Sequence, residues 1–172
     1  DGNCSYCASL LYDITHISCN GGNNGSIDLT VTGGNPTFGY SWTGPNSFLS
    51  SSTNISGLSV GGAYTVTVTD AIGCVDVLIA VLIHPNPLSI INLSTTNVSC
   101  NGGNNGTAIV SVNGGTLPYT YSWGVGVNPS SLYSGSYSVL ITDTFNCPSV
   151  SQPFTISQPD LLSISNDSLS HI

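Results

Sequence analysis

The feature that most constrains this chain is that it contains much of itself twice. Ile17–Trp42 and Val98–Trp123 align without a gap at an offset of 81 residues, and 14 of the 26 aligned pairs are identical. The string SCNGGNNG recurs unchanged at Ser18–Gly25 and Ser99–Gly106. Both copies then carry a glycine pair, Gly33-Gly34 and Gly114-Gly115, and close the next segment on Tyr40-Ser41-Trp42 and Tyr121-Ser122-Trp123. Further on, GAYTVTVTDAIGC (Gly62–Cys74) answers GSYSVLITDTFNC (Gly135–Cys147) at an offset of 73, so the second copy is eight residues shorter in between. Length changes of that kind belong in loops. The chain must therefore fold as one unit built twice.

Within each copy the hydrophobic period is two. Ile27, Leu29 and Val31 alternate with Asp28, Thr30 and Thr32, and Tyr64, Val66 and Val68 alternate with Thr65, Thr67 and Thr69. Val, Ile, Thr and Tyr suit a pleated, half-buried surface, and Gly, Asn, Pro and Ser clusters separate the runs. Strands are predicted at 13–18, 26–32, 38–43, 53–57, 63–69 and 75–83, and again at 88–98, 107–113, 118–124, 131–134, 136–142 and 149–157. The expected fold is all-β: tandem immunoglobulin-like β-sandwich domains, stapled by disulfides. Repeat 1 is expected over 17–87 and repeat 2 over 88–160. Residues 1–16 read as a link from a preceding module or an assembly strand, and 161–172 as a link into a further repeat or an assembly strand. The expectation is a segment of a longer array. Trp42 and Trp123, with Tyr64 and Tyr137, are the expected core aromatics.

Composition removes whole classes of function. Lys and Arg are absent and the net charge is −8, carried by eight scattered Asp. Nothing can neutralise nucleic-acid phosphates, clamp a carboxylate or form a polybasic membrane anchor. The longest apolar run, Val77–Ile83, has the length of a buried strand and falls far short of the ~18 residues of a spanning helix.

Six cysteines, Cys4, Cys7, Cys19, Cys74, Cys100 and Cys147, point to an oxidising, extracellular setting. Six allow 15 pairings. Repeat equivalence favours Cys19–Cys74 and Cys100–Cys147, tying the first strand of each copy to the last. Cys4 and Cys7 are left to bridge locally or to pair with neighbouring chains.

The ordered string Cys-Asn-Gly-Gly, Gly-Gly, Tyr-Ser-Trp, Gly-x-Tyr-(Thr/Ser)-Val and Thr-Asp-x-x-x-Cys resembles the SprB-type repeat of bacterial gliding-motility adhesins, over roughly 17–83 and 98–157. The resemblance implies very large secreted cell-surface proteins built from many modules, exported by the type IX secretion system, with immunoglobulin-like sandwiches serving as stalks or adhesive fibres. The partners it implies are neighbouring modules, or copies of the chain in a fibre, and surface glycans.

No residue pattern indicates catalysis. His16, His84 and His171 lie in the links without partner ligands, and no paired carboxylates are evident. No metal site or cofactor is expected. Calcium is the alternative at Asp70 and Asp143, the matched acids before each closing cysteine; the favoured reading is an Asx-type turn. Asn3, Asn24, Asn54, Asn92, Asn97, Asn105 and Asn166 begin N-x-S/T sequons. Asp167-Ser168-Leu169 resembles a bacterial O-glycosylation motif, making Ser168 a candidate. The expected function is a non-catalytic structural and adhesive module, extracellular and at the cell surface. A carbohydrate- or calcium-dependent binding module, or an accessory region of a secreted enzyme, is the alternative.

Overall fold

A computed structural model describes residues 7–164. The Cys4, Ser168, Asn3, Asn166 and His171 expectations fall outside the described residues. Among the described residues all regular elements are strands, apart from one 3-10 turn at Pro45–Ser47.

The first unit takes in the chain up to Leu88 together with Gly114–Pro118 and Asp143–Pro148. It is a two-sheet sandwich. One sheet has the order β1 (Ser9–Thr15), β2 (Gly25–Thr32), β5 (Ile55–Leu58). The other has the order β4 (Phe48–Ser50), β3 (Gly39–Gly44), β6 (Gly62–Thr69), β7 (Val75–Leu82). All pairings are antiparallel, with Trp42 opposite Val66 and Tyr64 opposite Ala80. Because strand side chains alternate faces, β6 turns Tyr64, Val66 and Val68 inward and its threonines outward. Those three pack with Ile17, Ile27, Leu29, Trp42, Ile55, Leu58, Ala80 and Leu82 in one core.

The second unit comprises Ser89–Asn113, Tyr119–Thr142 and the chain from Ser149 onward. It pairs β8 (Ser89–Thr96) with β9 (Thr107–Asn113), and orders β10 (Thr120–Ser122), β11 (Gly135–Thr142) and β12 (Val150–Ile156) in a second sheet. The fourth strand expected at 131–134 is reduced to a single bridge, Gly106 to Leu132, the counterpart of Gly25 opposite Leu58. Its core is smaller: Val98, Ala108, Leu132 and Ile156 are buried, with Trp123, Tyr137 and Phe154 packed partly buried against them.

Two expectations need correction. Within the segment 1–16, expected to be a link or an assembly strand, Ser9–Thr15 is β1, hydrogen-bonded along its whole length to β2. The predicted strand at 13–18 starts too late because β1 has no inward alternation to read: five of its seven residues are exposed. The disulfides also differ from the predicted pairs. Cys7 bonds to Cys74 and Cys19 to Cys147, while Cys100 is a free, exposed cysteine. The reason is polarity. Cys74 precedes β7, whereas Cys19 lies beside its far end, where the Ile17 N–H donates to the Ile83 carbonyl at 3.1 Å. Eight extended residues span on the order of 25 Å, several times the reach of a disulfide. Cys100 and Cys147 are separated in the same way, since the Val98 N–H donates to the Ser157 carbonyl beyond β12.

Candidate functional site

Each repeat has two poles, and both are built by the same residues in both copies. The opening pole is the SCNGGNNG loop against the chain leaving the last strand. Ser18 N–H donates to Asn24 Oδ1 at 3.1 Å and Ser99 N–H to Asn105 Oδ1 at 3.0 Å. Gly22 N–H donates to the Cys19 carbonyl, and Gly103 N–H to that of Cys100. Asn20 and Asn101 reach with Nδ2 to the carbonyls of Pro85 and Pro159, each at 3.1 Å. At φ +76 and +77, Gly21 and Gly102 occupy the left-handed region that favours glycine. The glycine that ends the string has a different reason: a Cβ on Gly25 would meet the Leu58 carbonyl at 2.9 Å, and one on Gly106 the Leu132 carbonyl at 2.9 Å.

The histidines serve this pole. Ile83 N–H donates to His16 Nδ1, and Gly21 N–H donates to His84 Nε2. In the second copy the same acceptors are Asn97 Oδ1 for Ser157 N–H and Gln158 Oε1 for Gly102 N–H. A position filled equally by Asn or Gln needs only a neutral acceptor, so the geometry offers these imidazoles a structural task.

The closing pole is centred on Asp70 and Asp143. Asp70 Oδ1 accepts from Ile72 N–H at 3.0 Å and Cys74 N–H at 2.8 Å, and Oδ2 from Asn35 N–H at 3.1 Å. Asp143 repeats the set with Phe145, Cys147 and Thr116 at 3.1, 3.0 and 2.9 Å. Each carboxylate therefore closes its own turn and staples it to the loop after the glycine pair. Burial pushes the Asp70 carboxyl up, but the donated N–H groups of Asn35, Cys74 and Ile72, with the Asn35 side chain, outweigh it and hold the group below the ordinary carboxylate value. Both oxygens already accept main-chain donors, and no cluster of three His, Cys, Asp or Glu that could hold a metal occurs among the described residues.

Of the expected aromatics, Trp42 is fully buried and donates Nε1–H to the Ser52 carbonyl at 2.9 Å. Tyr64 is buried against Phe48, edge to face, and donates to the Val60 carbonyl; burial raises its phenol pKa. Trp123 and Tyr137 are only partly buried, each packed on Phe154. Trp42 is thus no platform for a sugar. Among the sequon asparagines, Asn54 Oδ1 accepts from Leu29 N–H, and Asn24, Asn97 and Asn105 brace the opening poles.

The feature that sequence reasoning missed is where the two poles meet. Phe145 and Thr116, from the closing pole of repeat 2, line a cavity of about 410 Å³ with Thr15, His16, Ile17, Ser18, Asn24, Ile83 and Pro85, from the opening pole of repeat 1. The Cys19–Cys147 bond lies alongside, with Cα atoms 5.3 Å apart, and Cys147 Sγ is 3.3 Å from the Ser18 carbonyl. A signal was present: equal cysteine positions in both copies fit a head-to-tail pairing between copies as well as a pairing within each.

A family model described as the SprB repeat matches residues 11–47 and 92–128. No curated protein matches the sequence significantly. Among solved structures, the chain is similar to the N-terminal eight Ig domains of Down Syndrome Cell Adhesion Molecule isoform 1.30.30, at 14% identity and a TM-score of 0.49, covering 90% of this chain and 25% of that one. The chain thus spans a quarter of that structure's length. The two family matches are offset by the same 81 residues as the sequence repeat, and each begins inside the first strand of its copy: the chain carries two tandem matches to the SprB repeat.

Proposed function

We propose that this chain is a non-catalytic structural and adhesive segment of a large secreted surface protein, with its SprB repeats acting as rigid spacers that carry adhesive loops or build an extracellular filament. The carrying observation is that the matched acids of the closing poles and the histidines of the links are committed to the scaffold. Asp70 and Asp143 each accept three main-chain donors, and His16 and His84 accept backbone N–H groups. Disulfides on both repeats suit an oxidising exterior. The SprB match supports the adhesin reading, and with it the gliding-type role and type IX export that the resemblance implies. Neighbouring modules, copies in a fibre and surface glycans are the partners in this reading.

The test has two arms. Beads coated with the purified chain are expected to be retained on glycan-bearing surfaces, and retention no greater than on albumin-coated beads would sink the adhesive part. Electron microscopy of the native material is expected to show filaments or strings with a regular axial repeat. Isolated globular particles would sink the spacer part.

A further inference from the structure

The two opening poles are built alike but are not in the same state. In repeat 1 the pole is covered: Ser18, Cys19, His84 and Pro85 are all part-buried, and Cys19 is bonded to a closing-pole cysteine. In repeat 2 the equivalent Ser99, Cys100, Gln158 and Pro159 are all exposed, and Cys100 is free. The loops that hold the two cysteines share the Asn24/Asn105 and Asn20/Asn101 hydrogen bonds, so the second pole presents the same loop with its cysteine exposed. The seat around it is also reproduced, with Thr96, Val98, Asn105 and Pro159 standing where Thr15, Ile17, Asn24 and Pro85 line the cavity that receives Phe145 and Thr116.

We propose that Cys100 is a cross-linking site that bonds to the closing cysteine of a further SprB repeat, the cysteine of its Thr-Asp-x-x-x-Cys loop. The occupied pole of repeat 1 identifies the occupant: a loop closed by an aspartate staple, with its cysteine directed at the incoming Sγ. The bond joins the two sulfurs; both thiols lose their protons, and the two electrons reduce the disulfide of a thiol–disulfide oxidoreductase to its dithiol. Repeated along an array, an opening cysteine is covalently tied to the closing cysteine of the following repeat, except where that closing cysteine is already held, as Cys74 is by Cys7. The inference needs only the repeat, and holds whether or not the module is adhesive.

Disulfide mapping of the full-length protein, isolated without reductant from its native surface, tests this. Free thiols are alkylated in denaturant before digestion. Trypsin has no site here, but chymotryptic cleavage after Tyr, Phe, Trp and Leu places all six cysteines on separate peptides, with Cys100 between Leu93 and Tyr119. The expected result is that peptide linked to one from a Thr-Asp-x-x-x-Cys loop other than those of Cys74 and Cys147. Alkylated Cys100, or Cys100 linked to Cys4, to a small thiol or to a cysteine outside such a loop, would overturn the proposal. In a Cys100→Ser chain, a single closing-loop cysteine is expected to become alkylatable while Cys19–Cys147 persists. No newly alkylatable closing-loop cysteine would count against the proposal equally.

Discussion

A single aspartate in each repeat does the work that a metal ion does in many extracellular β domains: it gathers main-chain donors from two loops into one point. For Asp70 the consequence can be read in pH. Its carboxyl is held below the ordinary value, so as pH falls the unfolded chain takes up the proton first. This contribution to stability is complete above the unfolded value of about 4, and is lost as pH drops through it toward the lower folded value. Thermal unfolding followed from about pH 7 to about pH 2 should be flat at first and then fall, and Asp70→Asn should shallow the acid limb. An unchanged limb in the variant would remove Asp70 from the account. The two tryptophans allow a second comparison at this scale. Trp42 is enclosed and hydrogen-bonded, while Trp123 is partly open. Trp42→Ala should cost about 4 kcal/mol and Trp123→Ala about half of that by denaturant unfolding; equal costs would mean that the two cores are equally tight.

At the scale of elements, what could be read in advance was whatever alternation writes into a strand. β6 and β11 were legible because every second side chain is apolar and faces a core. β4 escaped because three residues carry no period, and β1 because most of its side chains face solvent on both sides. The staple at Asp70 was half legible: Thr-Asp-x-x-x-Cys indicates a turn, but nothing in it says that the third donor comes from Asn35. In SCNGGNNG, Gly21 takes the left-handed conformation of a tight turn. Gly25 instead leaves room for the Leu58 backbone where β2 meets β5. Gly25→Ala should therefore lose about 2 kcal/mol or more through displaced backbone and side-chain packing. The outward face of β7 behaves oppositely. Ile79 is 60% exposed there, so Ile79→Thr should stay within about 0.5 kcal/mol. A large loss in that variant would show that β7 is buried by something further.

The whole molecule is governed by which cysteine meets which, and no periodicity of residues reports this. Sequence repetition fixes that opening and closing cysteines are equivalent between copies; only the antiparallel course of the strands sets them at opposite ends of each sandwich. Within one repeat they cannot meet, and the bond that forms instead closes a separation of 128 residues between Cys19 and Cys147. In the chain-entropy picture a loop of that length is worth about 5 kcal/mol, against about 4 kcal/mol for the 67-residue separation of Cys7 and Cys74. Among the described residues Cys100 closes no loop. Under oxidising conditions Cys19→Ser should destabilise by up to about 5 kcal/mol and should open the opening pole of repeat 1 to chymotrypsin. Cys100→Ser, chemically the same change at the equivalent position, should leave both the unfolding midpoint and the digestion rate unaltered. The pair is a direct test of the head-to-tail arrangement: if the disulfides closed each repeat on itself, the two serine variants would behave alike.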